Sequence, residues 1–218
     1  MSARNNILER IRKAQGRPGV APTEAELTQV RLTIGARRHG PLPSAARPAD
    51  PVAKFRAECD RLGTTHSEAA DPTELPREVA RYLEANGLEW RIVLWREFAG
   101  LRWGGVGIHA DDRPANGNDK TGLTGCFCAI AETGTLLMLG APATPKLTAL
   151  LPETHIAVVR KSRIVDTMED ALALLRAEIG EPPRATWFVS GPSRTADIEQ
   201  TMVIGAHGPY RAHVILVP

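Results

Sequence analysis

Apolar positions in this chain fall into short, well-bounded runs from about residue 50 onward and are sparser before it. Near the start, Ile7, Leu8 and Ile11 share one face of a helix that Ser2 can cap and Gly16 can end. From Arg17 to Pro48 the periodicity weakens and Pro18, Pro22, Pro41, Pro43 and Pro48 interrupt it, as in an arm or linker. A short helix fits Glu24 to Leu32 within that stretch. Asp50-Pro51 then supplies an N-cap with proline at the first helical position. Val52, Phe55, Cys59 and Leu62 form the stripe of that helix, and Gly63 stops it. A further helix runs from about Glu74 to Asn86, with Leu75, Val79, Tyr82 and Leu83 inward and Gly87 at its end.

Uninterrupted apolar runs of strand length follow: Ile92–Trp95, Cys126–Ala131, Thr135–Leu139, Ile156–Val159, Trp187–Val189 and Val214–Val217. Between them, Lys146 to Leu151 reads as a helical turn. Thr167-Met168-Glu169-Asp170 opens a helix that Gly180 closes, and a last helix is expected from Thr195 to Val203. Strands alternating with helices predict an α/β fold, a three-layer α/β/α arrangement around a mostly parallel sheet. Residues 1–48 are expected to be an N-terminal helix and flexible arm, and residues 49–218 the α/β domain.

Composition narrows the function classes. The chain has 218 residues, 43% of them hydrophobic and 24% charged, so it can hold a core without staples. No window approaches the 18 or so continuous apolar residues of a membrane span. The start of the chain lacks the apolar core of a signal peptide, and the expected compartment is the cytoplasm. A net charge of +2 with 5% aromatics argues against a nucleic-acid binder. The charge is uneven, however: residues 1–60 carry 11 Lys and Arg against 6 Asp and Glu, which suits docking to an acidic surface as well as a solvated tail.

Ligands of open α/β sheets bind beyond the carboxyl ends of strands, so the segments after each apolar run are the candidates. Ser190-Gly191-Pro192-Ser193-Arg194-Thr195 follows one such run. With a helix after it, the free N–H groups of the first turn would join Gly191, Ser193, Arg194 and Thr195 in binding a carboxylate or phosphate. Alternatively, Thr195 only caps that helix and Arg194 pairs with a surface carboxylate. Glu132-Thr133-Gly134-Thr135 lies in a turn between two apolar runs. Glu132 is either a general acid/base there or a structural carboxylate accepting backbone N–H groups. Gly205-Ala206-His207-Gly208-Pro209 offers a histidine, the side chain whose charge changes nearest neutral pH. No dinucleotide fingerprint or phosphate-loop motif is present. Cys126 and Cys128 would share a strand face, but no matching Cys/His pair supports a metal. Cys59 reads as a small core hydrophobe.

Four stretches in order carry a resemblance to a known family: Thr124–Thr135, Leu150-Leu151-Pro152 with His155–Val159, Ser190–Glu199, and Gly205–Pro209. Over Leu123 to Val217 the chain resembles the LUD-domain family of lactate utilization proteins of the C type. The resemblance implies a fold similar to the superfamily of ribose-5-phosphate isomerase, glucosamine-phosphate isomerase and the CoA-transferases. It also implies a part in oxidising L-lactate to pyruvate beside iron–sulfur partner proteins, with no cofactor in this chain. Three cysteines fall short of the usual four cluster ligands, in keeping with electrons passing through the partners. The leading expectation is therefore an accessory or regulatory subunit that binds a small anionic ligand. Glu132 and His207 would be the catalytic candidates, and Thr133, Gly134, Thr135, Gly191, Ser193, Arg194 and Thr195 the ligand-binding ones. The alternatives are a stand-alone isomerase or CoA-transferase-like enzyme using Glu132, and a non-catalytic assembly module.

Overall fold

In a computed structural model of the chain, residues 2–17, 19, 21–38, 40–41, 47–197 and 200–218 are described. Two units are present, Met1–Leu42 and Pro43–Pro218. The first holds α1 (Ala3–Ala14) and α2 (Glu24–Gly35). Ser2 caps α1 by accepting from the Asn5 N–H, and Thr23 and Glu26 form a reciprocal capping box on α2. Ile7, Ile11, Val30, Leu32 and Ile34 are exposed on these helices. Two of the arm's prolines, Pro18 and Pro43, lie outside the described residues.

The second unit opens with α3 (Pro51–Leu62). The Asp50 carboxylate accepts from the Val52 and Ala53 N–H groups at 2.9 and 3.0 Å, and Gly63 ends the helix in the left-handed region. Then come β1 (Thr65–Glu68), α4 (Leu75–Ala85), β2 (Arg91–Leu94), β3 (His109–Asp111) and β4 (Thr121–Thr124). These are followed by β5 (Cys128–Ile130), β6 (Thr135–Leu139), α5 (Leu147–Leu150), β7 (Thr154–Arg160), β8 (Ile164–Val165) and α6 (Met168–Glu178). The chain finishes with β9 (Thr186–Val189), β10 (Arg194–Thr195), β11 (Val203–Ile204) and β12 (Arg211–Val217).

Six strands form a wholly parallel sheet in the order β1-β12-β7-β4-β2-β3, with helices on both sides. A smaller sheet, β8-β5-β6-β9, is mixed: β6 runs antiparallel to β5 and β9, and β8 parallel to β5. The apolar runs of β5 and β6 therefore read like parallel strands without being so. Their continuity comes from burial on both faces, because α6 packs on β5 and β8 while the larger core lies on the other side. Phe55, Leu83, Leu94, Leu123, Ile156 and Ile215 anchor that larger core. Cys128, Ile130, Leu137 and Ala171 form a second cluster.

Several strands escape the apolar pattern, β1 and β4 among them. β1 has the sequence Thr-His-Ser-Glu, yet pairs with β12 in full register. Its polar inner face is satisfied by His213: Thr65 Oγ1 lies 2.8 Å from Nδ1 and Ser67 Oγ 3.1 Å from Nε2. Tyr82 stacks on the His213 ring at 4.1 Å. β4, Thr-Gly-Leu-Thr, is a central strand; Gly122 on it lets α5 approach the sheet closely.

The helix expected from Thr195 to Val203 is not formed. Arg194–Thr195 and Val203–Ile204 pair instead as a two-stranded antiparallel ribbon, with Ile198 and Glu199 outside the described residues. The Thr195 hydroxyl donates to Asp197 at 2.7 Å and accepts from its N–H, a local turn that competes with helix initiation.

Candidate functional site

Absence of that helix removes the N-terminal dipole expected behind Ser193 and Arg194. It also changes where the segment sits. β9 belongs to the smaller sheet, so its carboxyl end does not coincide with the carboxyl ends of the parallel strands. Ser190 to Arg194 lies at their amino ends, beside His155 and Ala212, each the second residue of its strand.

A cleft of about 270 Å³ opens there. One wall is Val189 to Arg194, the other His207-Gly208-Pro209, and Ala149 and Leu150 of α5 close a side. Backbone bonds hold the walls together: the Ser193 N–H donates to Pro209 O and the Gly205 N–H to Ser193 O, both at 2.8 Å. Gly191, Ser193, Arg194 and His207 are thus brought to one cleft from loops some 15 residues apart in sequence. Arg194 and His207 are exposed, while Gly191 and Ser193 are half-buried.

Arg194 has a second task. Its Nη2 donates to the carbonyl of Leu62, the last residue of α3, and so supplies a cation to that helix's carboxyl end. The helix terminus expected behind Arg194 is absent, and its partner is this helix-end carbonyl rather than a surface carboxylate.

The Glu132–Thr135 turn abuts the cleft from below. Thr135 Oγ1 lies 2.7 Å from Ser190 Oγ and 2.8 Å from Thr133 Oγ1, a hydroxyl chain reaching the base of the Ser190 loop. Gly134 adopts φ +62° against α3, where a Cβ would come within 2.9 Å of Glu58 Cβ. Gly134 lines a smaller cavity with Thr64, His155 and Gly191. Glu132 and Thr195 are not among the residues lining the main cleft. The Glu132 carboxylate is half-exposed, and its backbone N–H donates to Asp166 O at 2.9 Å.

Sequence reasoning passed over His155. Its ring is buried beneath the cleft, with Nε2 2.8 Å from Thr124 Oγ1. Burial pushes its pKa down to about 4, so the ring is neutral at physiological pH. The signal is a histidine directly before the apolar run Ile156–Val159, a position that reads as the start of ordinary core.

The cysteines do not converge. Cys128 belongs to the smaller cluster, whereas Cys126 precedes β5 and packs against the larger core, so strand alternation does not place the two on one face. Burial raises the Cys59 thiol to about 12 and Cys128 to about 11. Among the described residues no group of three or more His, Cys, Asp or Glu side chains could hold a metal ion. No described helix is long and apolar enough to cross a membrane.

A mostly parallel α/β sheet with a flanking mixed sheet, and loops that meet around one cleft, define the class of protein. A family model, that of the LUD domain, matches residues 109–217. A protein of Deinococcus radiodurans called lactate utilization protein C is 34% identical over 92% of this chain and 98% of its own length. The chain belongs to the LUD domain family. The lactate utilization protein C of Bacillus subtilis is 38% identical, over 45% of this chain and 42% of that protein. In structure, the chain is similar to a DUF162 family protein from Deinococcus radiodurans, with a TM-score of 0.56 and 26% identity, over 82% of this chain and all of that one.

Proposed function

We propose that this chain is a lactate utilization protein acting as an accessory or regulatory subunit of a cytoplasmic complex that oxidises L-lactate to pyruvate. The observation that carries the proposal is the near full-length likeness to a protein called lactate utilization protein C. In this reading iron–sulfur partner proteins carry the electrons, and the present chain binds a small anion, a carboxylate or phosphate, in the cleft at the amino ends of β7 and β12. Arg194 supplies the fixed positive charge, Ser193 a hydroxyl donor, and His207 a group that meets the far end of the ligand. Gly191 keeps the loop low enough for the ligand to approach. Thr133, Gly134 and Thr135 hold Ser190 in place, and Thr195 fixes the ribbon that carries Arg194.

Affinity capture of the tagged chain from lactate-grown cells tests the partnership. Recovery of iron–sulfur companions is the expected result, and recovery of the chain alone would count against it. Melting-temperature shifts with phosphate and L-lactate test the anion cleft, since a ligand that binds the folded state raises the melting temperature by mass action.

A second reading, a stand-alone enzyme of the isomerase or CoA-transferase type, draws on one feature. The half-exposed Glu132 carboxylate has no side-chain hydrogen bond or ion pair among the described residues, which leaves it free to act as base or nucleophile. A melting-temperature response to acyl-CoA, abolished in Glu132→Gln, would favour it over the accessory subunit.

A further inference from the structure

A different crevice lies at the opposite end of the parallel sheet. In the strand order β1-β12-β7-β4-β2-β3, the chain leaves β2 outward to β3 but leaves β4 inward to β7. The segments after β2 and β4 therefore part company at their carboxyl ends. This is the topological switch point of the sheet, where open α/β folds leave room for a ligand.

The structure has a cavity of about 420 Å³ at that place. The segment after β2 contributes Glu97 and Phe98, the segment after β4 contributes Gly125, Cys126 and Phe127, and β7 ends in it with Arg160. The Glu97 carboxylate lies directly over Gly125, and any Cβ at 125 would overlap it. The two diverging loops thus meet where the end of the Glu97 side chain rests against Gly125.

Charges around the crevice are paired with two exceptions. Arg163 is held by Glu178 through two bonds of 2.6 and 2.9 Å and donates to Phe127 O at 3.0 Å. Lys161 is held by Glu68. Among the described residues, Glu97 and Arg160 have no hydrogen-bond or ion-pair partner, although each feels the other's charge across the gap. Partial desolvation raises the Glu97 carboxyl above the usual range, while Arg160 pulls it the other way. One unpaired anion and one unpaired cation face a shared space whose remaining wall includes Leu75, Phe98 and Val158.

We infer that this crevice binds a carboxylic acid with a hydrogen-bond donor, hydroxyl or ammonium, on the neighbouring carbon and a short apolar tail. Arg160 takes the carboxylate, Glu97 accepts from the donor, and the tail lies against Phe98 and Val158. The site is independent of the anion cleft. His155 and Arg160, five residues apart on β7, mark the two ends, about 16 Å from each other along the strand.

Calorimetric titration of the full chain with three acids of the same tail decides the matter: (S)-2-hydroxy-4-methylpentanoate, L-leucine and 4-methylpentanoate. The expected result is that at least one of the first two binds about tenfold more tightly than the third, the worth of one hydrogen bond to a charged group. A stronger hydroxy acid would identify the donor as a hydroxyl, and a stronger amino acid as an ammonium. Arg160→Gln and Glu97→Ala should each lose about tenfold, and Arg184→Ala, at an exposed residue outside both sites, should lose nothing. Absence of binding by both donor-bearing acids would overturn the inference, as would equal binding of 4-methylpentanoate. Because this panel needs no substituted protein, it decides even where a variant fails to fold. Affinity lost in Arg194→Ala but kept in Arg160→Gln would move the ligand to the other cleft and equally overturn it. Failure of phosphate to bind at the anion cleft leaves this inference untouched.

Discussion

Thr124 Oγ1 lies 2.8 Å from His155 Nε2, joining the side chains of β4 and β7 beneath the amino-end cleft, and both residues are buried. The hydroxyl is the partner of that ring nitrogen among the described residues. Thr124→Val keeps the shape and removes the partner, leaving a buried polar atom unsatisfied at a cost of about 1–3 kcal/mol. Thr124→Ser keeps the hydroxyl and should cost less. Urea denaturation of the two variants checks the order; a larger loss in Thr124→Ser than in Thr124→Val would mean that the methyl group, not the hydrogen bond, matters at this position.

The same burial makes stability depend on pH. His155 and His213 are both depressed to about 4, by desolvation first, and for His213 also by the nearby His66. In the unfolded chain these rings titrate near 6.5. Between about 6.5 and 4 the unfolded state therefore binds protons that the folded state refuses, and stability falls as the pH falls through that window. At pH 7 and above the full contribution is present. A depression of this size corresponds to roughly 3 kcal/mol for His155. Unfolding free energies measured at pH 7, 6, 5 and 4 should decline steadily, and His155→Gln should flatten the decline. A flat profile in the unsubstituted chain would contradict neutral buried histidines.

Gly134 carries a backbone requirement and a packing requirement together. Its φ is +62°, and a Cβ there would come within 2.9 Å of Glu58 Cβ and 3.0 Å of the Glu58 carbonyl carbon. α3 is not free to retreat, because Glu58 is tied to Lys54 at 2.7 Å and Arg61 at 2.6 Å, and Phe55 and Cys59 beside it are core. Gly134→Ala should lower stability by about 1–3 kcal/mol, more than a left-handed conformation costs in open space. Gly180→Ala makes the comparison: φ is +81° there, with nothing within 4 Å of the added carbon. Thermal unfolding of the two should place Gly134→Ala lower.

Most of the α/β architecture could be seen in the sequence because its strands are buried on both faces and read as bounded apolar runs. Periodicity alone could not assign them to sheets. Leu136–Met138 and Ile156–Val159 are equally apolar, yet the first lies in an antiparallel pair and the second in the parallel sheet. That ambiguity leaves open the end of the sheet at which the loop after Trp187–Val189 lies: this strand belongs to the smaller sheet, and the loop sits at the amino ends of the parallel strands. β1 was missed because its inward face is polar and satisfied by His213, a partner nearly 150 residues away. The helix after Thr195 lost to a local turn, in which Asp197 engages the Thr195 hydroxyl. The loops holding Gly191, Ser193, Arg194 and His207 were legible as glycine-punctuated polar segments, and these four residues do share a cleft. His155 and Glu97 were not, the first looking like core and the second like surface.

Arg194 allows the anion cleft and a purely structural role to be separated. Its guanidinium donates to the Leu62 carbonyl at the end of α3 and is exposed on the side of the cleft. A cation at an exposed helix carboxyl end contributes about 0.3–1 kcal/mol, and salt screens it. Arg194→Ala should lose about that much in denaturant unfolding, and also lose the phosphate-induced rise in melting temperature. Arg194→Lys keeps a charge but not a planar fork, so it should retain part of the stability and less of the anion response. Were Arg194→Ala to lose the stability increment while phosphate still raised the melting temperature as before, Arg194 would be a helix cap alone. The small anion would then have to be held elsewhere on the chain.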